Sequence, residues 1–341
     1  MTAARRARHE RLSTFLASRN DMELVELLDA GRTGIAGVGG SPAQLDLDGT
    51  PVFAKRIPLT DRELTHPRST ANLFDLPMFC QYGIGSQGFN AWRELAANLI
   101  VTDAGLAGET ESFPLLYHWW TLPGRPPVAA EHADIDTAVA ALGGSPAVRA
   151  RLQALATAPC SLVLFCEYIP YPMREWLDEH PTGKAETVER QLAQIVAFLR
   201  SRGLLHMDGH FGNMRTDGKR IYLSDFGLAT SPRFDLSAAE HDFARNNSTH
   251  DAGYAAMQLT NWLVTAVCGV PVSASGGPTA RNEYVLACAA GDIPDGVPPT
   301  VAAILRQHAA AASRMNSFYW KLFGGEVGAD YLAYTADGQT R

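Results

Sequence analysis

The sequence is poor in cysteine, and the few cysteines that it has are scattered. Five occur in 341 residues, an odd number, and no two have the C-x-x-C spacing of a zinc-ligand pair or a redox motif. We therefore expect neither a disulfide framework nor a zinc site. The cysteines are interpreted as buried, reduced thiols.

Positive charge and long apolar runs are also scarce. The chain has 29 Lys and Arg against 36 Asp and Glu, a formal net charge of −7, so a nucleic-acid partner has no overall electrostatic support. No apolar run is long enough to span a membrane, and the basic first residues lack the apolar core of a secretory signal. We expect a cytoplasmic protein without a membrane span, and nothing in the composition indicates its oligomeric state.

The most informative stretch is 204–229, LLHMDGHFGNMRTDGKRIYLSDFGLA. Its pattern predicts an apolar strand, a tight polar loop, a turn at 216–218, a second strand at 220–223 and a further acidic position at 225. A turn between two short strands brings the polar groups to one edge. Those polar groups are His206, Asp208, His210, Asn213 and Asp225.

These side chains suit phosphoryl transfer. A hydroxyl is a poor nucleophile, so a carboxylate must orient it and take its proton, and Asp208 is placed for that role. Nucleotide phosphates need Mg²⁺, a hard cation that prefers oxygen ligands. The amide oxygen of Asn213 and the carboxylate of Asp225 can supply them.

The order and spacing of these residues resemble the protein-kinase-like superfamily, whose catalytic loop H-R-D-L-x-x-x-N is followed by D-F-G. The corresponding residues here are 206–213, HMDGHFGN, and 225–227, DFG. The resemblance implies ATP and Mg²⁺ as cofactors, Asp208 as the base, and Asn213 and Asp225 as metal ligands. A lone DFG would mean little, but two motifs in the right order form a specific match.

Two features place the sequence between branches of that superfamily. His210 produces the form H-x-D-x-H-x-G-N, which resembles the aminoglycoside-phosphotransferase and choline-kinase branch, whereas the DFG resembles protein kinases. No A-P-E motif follows to anchor an activation segment. Both His210 and the missing motif favour a small hydroxylated acceptor. His210 would either contact the transferred phosphate or support the loop by hydrogen bonds.

A glycine-rich segment at 31–41 precedes two predicted strands, 43–47 and 51–57. Glycines let backbone N–H groups approach phosphates closely, although the order G-x-x-G-x-G-G differs from the family's G-x-G-x-x-G. The second strand carries V-F-A-K in the place of the family's V-A-I-K, which implies that Lys55 binds phosphates. The glycines predicted to bind the nucleotide are Gly34, Gly37, Gly39 and Gly40.

Lys55 needs an acidic partner, which in the family comes from the next helix. We expect that helix from about residue 89, after an inserted loop at 60–88. Glu94 is the best candidate for the partner, and Glu63 is its rival.

Two further segments take their interpretation from the resemblance. The apolar strand at 161–168 is similar to the one that leads into the family's hinge, which implies that backbone groups of Glu167, Tyr168 and Ile169 bind adenine. Asp251, at the start of a predicted helix, would either brace the catalytic loop or cap that helix.

The predicted fold is α+β: a bilobal protein-kinase-like fold with a small, mainly antiparallel β N-lobe and a larger α-helical C-lobe. Residues 1–30 would be an N-terminal helical extension, and 31–168 the nucleotide-binding N-lobe with insertions at about 60–88 and 123–159. Residues 169–341 would be the C-lobe, with the catalytic loop at 204–229.

The predicted function is an ATP-dependent phosphotransferase that moves the γ-phosphate to a hydroxyl of a small molecule, such as an antibiotic or a metabolite. One alternative is an atypical serine/threonine protein kinase, which the DFG and the hinge-like E-Y favour. The other is a non-catalytic nucleotide-binding scaffold. The joint presence of Lys55, Asp208, Asn213 and Asp225 argues against a scaffold, because a scaffold needs no base.

Overall fold

The computed structural model describes residues 2–179, 181–272, 279–329 and 331. The fold is mixed α+β, and the chain divides into two compact units. The first unit contains residues 1–169 and 224–242, and the second contains 170–223 and 243–341. The predicted lobe boundary at 168/169 falls beside the observed division at 169/170. Residues 1–30 and 224–242 belong to the first unit, although the sequence placed 224–242 with the second.

A five-stranded antiparallel sheet, in the order β1-β2-β3-β5-β4, forms the centre of the first unit. Two predicted strands, at 43–47 and 51–57, are present with longer bounds. The strands are β1 (Arg32–Thr33), β2 (Ser41–Leu47), β3 (Thr50–Leu59), β4 (Leu116–Pro123) and β5 (Cys160–Glu167).

Helices of the first unit come before, between and after these strands. The predicted extension at 1–30 contains two helices, and the helix expected from about residue 89 begins at Ala91. The helices are α1 (Ala3–Ala17), α2 (Asp21–Asp29), α3 (Asp61–Thr65), α4 (Ala91–Leu106), α5 (Ile135–Ala141), α6 (Pro146–Ala156) and α9 (Ala238–Asn246), the last of which extends past residue 242.

Alternation along β3 determines the direction of its lysine. Successive side chains of a strand point to opposite faces of a sheet. Val52 and Ala54 pack in the apolar cluster that contains residues of α1 and α2, whereas Phe53 and Ile57 pack in the cluster that contains Trp92 and other residues of α4. The odd-numbered position 55 therefore lies on the face toward α4.

The two predicted insertions are not simple loops. Segment 60–88 contains α3 and a 3₁₀ turn at Met78–Gln81, and segment 123–159 contains α5 and α6. Apolar residues of both segments share one buried cluster, in which Phe74 and Leu76 of the first pack with Val139, Val148 and Leu152 of the second. Each insertion therefore buries apolar surface that it could not bury alone.

A buried ion pair joins the two insertions to α4. Both guanidinium ends of Arg151 donate to Glu63, at 2.8 and 2.9 Å, and Glu63 is fully buried. Glu63 also accepts a hydrogen bond from the backbone N–H of Ala91, the first residue of α4, at 2.8 Å. Burial acts to raise the pKa of Glu63, but Arg151 and these hydrogen bonds hold it below its usual range.

In the part of the second unit that the structure describes, five helices accompany a small antiparallel sheet, β6-β7-β8. The apolar strand predicted at the start of the stretch 204–229 is not among the described strands, and the N–H groups of His206 and Met207 in the loop after it donate to a side chain. The elements are β6 (Tyr171–Pro172), α7 (Met173–Asp178), α8 (Pro181–Ser201), β7 (Met214–Thr216), β8 (Ile221–Leu223), α10 (His250–Ala266), α11 (Thr279–Ala289) and α12 (Pro299–Phe323).

The cysteines and the helix lengths agree with two expectations from the sequence. Three of the five cysteines are buried, the other two are half-buried, and all five are unpaired. Among the described residues, no helix has both the length and the apolar character needed to cross a membrane.

We predict that Arg151→Met lowers the free energy of unfolding by about 3 kcal/mol, because it leaves the Glu63 carboxylate buried without its counter-charge. The matched control is Arg149→Met, which removes an exposed pair with Asp136 and should change stability by less than about 1 kcal/mol. Chemical denaturation of the three proteins measures both effects. Equal losses in the two variants would contradict the role given to the buried pair.

Candidate functional site

Three predicted site residues from distant parts of the sequence meet in the first unit. The Nζ atom of Lys55 lies 2.7 Å from Glu94 Oε1 and 2.8 Å from Asp225 Oδ1. Of the two acidic candidates for the partner of Lys55, the structure pairs it with Glu94, and Glu63 is bound to Arg151 instead. Strand β3, helix α4 and the segment after β8 each contribute one charged group.

The charges of this triad are unevenly exposed. Lys55 and Glu94 are buried, whereas 37% of the Asp225 side chain is exposed. Burial acts to lower the pKa of Lys55, but the carboxylates of Asp225 and Glu94 outweigh it and raise that pKa. Burial raises the pKa of Glu94 to about 7, against the pull of Lys55. The lysine therefore stays charged, and Asp225 is the carboxylate that a cation from solvent can reach.

The glycine-rich turn lies directly beside this triad. A β-carbon on Gly39 would be 3.1 Å from Lys55 Nζ and 3.5 Å from Asp225 Oδ1, so the backbone of Gly39 lies close to both charged groups. Such a close approach is the use that phosphate-binding loops make of glycine.

The other predicted glycines have a different role. The N–H groups of Gly37 and Gly40 bond to each other's carbonyl oxygens, at 2.9 and 3.0 Å, and Gly34 N–H donates to Pro42 O at 2.8 Å. These donors hold the hairpin together. In this conformation Gly39 is therefore the glycine best placed beside the charged groups.

The backbone of Asp225 is in the left-handed region, with φ of 64°. Residues other than glycine rarely adopt this backbone conformation, and residues that do so cluster at functional sites. Met207, beside Asp208 in the second unit, has φ of 67°. Both motifs that were recognised from sequence thus contain a strained residue.

The loop that carries Asp208 lies in the second unit, and its side chains orient one another. The Asn213 amide nitrogen donates to the Asp208 carbonyl oxygen at 3.0 Å and to Asp208 Oδ2 at 3.1 Å. This directs the amide oxygen of Asn213 away from the carboxylate. The carboxylate of Asp208 is therefore held in one orientation by a neutral donor.

His210 supports this loop. Its Nδ1 accepts a hydrogen bond from Asn213 N–H at 3.2 Å, so the neutral ring carries its proton on Nε2, which is 3.7 Å from Asp208 Oδ2. A β-carbon on Gly212 would come within 2.7 Å of the His210 ring. The H-x-G-N pattern therefore has a steric basis, because the ring needs a residue without a side chain at position 212.

Asp251 braces the same loop from α10. Its two carboxylate oxygens accept the backbone N–H groups of His206, at 2.7 Å, and Met207, at 3.0 Å. Of the two roles open from sequence, the structure therefore shows bracing. Burial acts to raise the pKa of Asp251, but hydrogen bonds and charges from His250 and His206 lower it.

We expect Asp251→Asn to loosen this loop, because an amide replaces one acceptor oxygen by a donor and leaves one buried N–H without a partner. The loss should be about 1–3 kcal/mol. Amide hydrogen exchange at residues 206 and 207 measures it directly, and exposed Asp295→Asn is the control. Unchanged protection at both amides would refute the bracing role.

The predicted hinge residues follow β5. The side chain of Glu167 is held by Arg5, with Arg5 Nη2 2.5 Å from Glu167 Oε2, and by Arg8. Its backbone N–H donates to Leu115 O at 2.8 Å. The side chain and the N–H of Glu167 are both bonded within the protein. Adenine binding by Glu167 would therefore use its backbone carbonyl. The assignment of Tyr168 and Ile169 to adenine binding remains a prediction.

Sequence reasoning missed the arginines that bind Glu167. Arg5 and Arg8 are three residues apart on α1 and so share one helix face. That spacing was visible in the sequence, but the position of their partner, at the end of β5, was not. Gln258 was missed too, and its side chain accepts the N–H of Phe211 at 3.3 Å.

Mg²⁺ was predicted to bind Asn213 and Asp225. Asp225 offers partly exposed carboxylate oxygens, and the amide of Asn213 is oriented by Asp208, so the donor chemistry of each residue fits a hard cation. Within the described ranges, no group of three or more His, Cys, Asp and Glu side chains has the arrangement of a metal site.

Comparison of the chain with models of known protein families gives no match, and comparison with curated proteins gives none either.

Proposed function

We propose that this chain is an ATP-dependent phosphotransferase of the protein-kinase-like superfamily, with the bilobal fold of that superfamily. The observation that carries the proposal is the buried Lys55 ammonium between the carboxylates of Glu94 and Asp225, with the backbone of Gly39 beside it. A purely structural ion pair would need one carboxylate. A second, partly exposed carboxylate and a glycine turn are features of a phosphate site.

In this proposal, the first unit binds the phosphates of ATP. Lys55 supplies the positive charge, and Glu94 fixes its direction. The turn at Gly39 lets the phosphates approach the backbone, and Asp225 offers oxygen ligands to Mg²⁺. Bound Mg²⁺ would neutralise part of the phosphate charge.

In this proposal, the second unit activates the acceptor hydroxyl. Asp208 orients a hydroxyl and takes its proton, because its carboxylate is partly exposed, at 21%, and is held in place by Asn213. Asn213 holds that carboxylate and offers an amide oxygen to Mg²⁺. His210 and Asp251 keep the loop in shape through hydrogen bonds to its backbone.

The acceptor in this proposal is a small hydroxylated molecule. His210 lies over Gly212 as the H-x-G-N pattern requires, and that pattern resembles the small-molecule branch of the superfamily. The absence of A-P-E from the sequence after Asp225 supports the same choice.

The first experiment measures ATP turnover in the presence of Mg²⁺, alone and with a panel of aminoglycosides, amino alcohols, sugars and generic protein acceptors. Stimulation by one small-molecule class is the expected result. Transfer to protein only would replace the small-molecule assignment by a protein kinase. Binding of ATP without transfer to any acceptor would favour a non-catalytic scaffold.

We predict that Asp208→Asn lowers kcat about a hundredfold or more, because the amide cannot take the proton of the hydroxyl. The affinity for ATP should stay within about threefold, because the residues proposed to bind phosphates lie elsewhere in the sequence. Exposed Asp178→Asn is the control. A variant at position 208 with full activity would remove the base assignment.

A further inference from the structure

A second buried ion pair in the first unit joins two segments that carry parts of the triad. Arg93 lies on α4, one residue before Glu94, and its guanidinium binds Glu240, 147 positions later in the sequence. Their side chains are only 2% and 3% exposed. Glu240 belongs to the segment 228–242, which directly follows Asp225-Phe226-Gly227.

The guanidinium of Arg93 has backbone, aromatic and acidic neighbours. Its Nε donates to Thr70 O at 2.6 Å, and its plane lies against the rings of Phe89, at 4.9 Å, and Phe234, at 5.9 Å. Its Nη1 is buried and has no hydrogen-bond partner among the described residues. Glu240 is therefore the counter-charge bound to this guanidinium, which makes the position of Arg93 depend strongly on it.

A second clamp lies next to this pair. Asp235 N–H donates to Thr70 Oγ1 at 2.7 Å, and Thr70 N–H donates to Asp235 Oδ2 at 3.1 Å. The other oxygen of Glu240 accepts the N–H and the hydroxyl of Ser237, at 3.0 and 2.9 Å. Segment 228–242 is thus fixed to the insertion before α4 as well as to α4 itself.

The energetic consequence follows from burial. Taking one partner away leaves the other as an uncompensated charge in a medium of low dielectric, which strongly favours any movement that brings it to water. For Arg93, that movement is a shift of α4, which would carry Glu94 away from Lys55. For Glu240, it is a release of segment 228–242, which begins three residues after Asp225.

We propose that Arg93 and Glu240 are positioning residues that lock segment 228–242 onto α4 and so keep Lys55, Glu94 and Asp225 together without any phosphorylation. This inference rests on the proposed phosphotransferase function. Phosphorylation can order such a segment by supplying negative charge to an arginine, and here the carboxylate of Glu240 supplies it permanently. The hydroxyls of Thr230 and Ser231 belong to buried residues, and that of Ser237 is bonded to Glu240.

The test compares Arg93→Met and Glu240→Gln with wild type well below their unfolding temperatures. Amide hydrogen exchange in residues 228–237 should become about tenfold faster or more in both variants. The value of kcat/KM should fall by about a hundredfold, because the reacting groups are misplaced. Wild type treated with phosphatase should keep its full activity.

Two controls separate positioning from stability. Leu16→Ala opens a cavity in the apolar cluster that contains residues of α1 and α2, and it should destabilise the protein while leaving exchange in segment 228–242 unchanged. Arg149→Met should change neither. If a single variant fails to fold, Arg93→Lys takes its place, because it keeps the positive charge but cannot bind Thr70 and Glu240 through two separate nitrogens.

The outcomes decide between the two proposals. Wild-type exchange in 228–237 in the folded variants, or in Arg93→Lys if it replaces one of them, overturns the positioning role whether or not the protein transfers phosphate. Loss of activity after phosphatase treatment overturns the independence from phosphorylation. If wild type transfers phosphate to no acceptor, the phosphotransferase function fails, and faster exchange in the variants still supports the lock between Arg93 and Glu240.

Discussion

The buried positive charge of Lys55 is the constraint on which the first unit depends. An ammonium group in a sheet interior is costly unless carboxylates surround it, and here they come from α4 and from the segment after β8. Three parts of the chain that are far apart in sequence must therefore meet at one point. The same arrangement leaves Asp225 partly exposed, so a structural requirement and a possible binding function share the same atoms.

Further buried ion pairs repeat this principle around the sheet. Glu63 with Arg151 joins the two insertions to α4, Arg93 with Glu240 joins α4 to segment 228–242, and Glu167 with the arginines of α1 fixes the end of β5. Apolar packing is non-directional, so packed elements can shift slightly without losing it. A buried ion pair needs its hydrogen-bond geometry, so even a small shift weakens it. These pairs therefore fix the positions of elements that the apolar clusters only bring together.

The second unit contains a polar loop without regular secondary structure. Backbone N–H groups that leave a strand or helix need other acceptors. Asp251 supplies both acceptors for His206 and Met207, and Gln258 and His210 supply those for Phe211 and Asn213. The loop is thus held by side chains from α10 and by its own residues, which lets Asp208 remain partly exposed in a defined position.

The sequence by itself determined the local features of this protein. Alternation and helical periodicity identified elements such as β2, β3 and α4, because these patterns depend on near neighbours. The motif spacing also selected the residues of the candidate site. Only the tertiary structure decided which partners they have: Glu94 over Glu63 for Lys55, a brace over a cap for Asp251, and two insertions packed as one cluster. Those choices depend on contacts between segments about 40 to 90 positions apart in the sequence, and no local pattern encodes them.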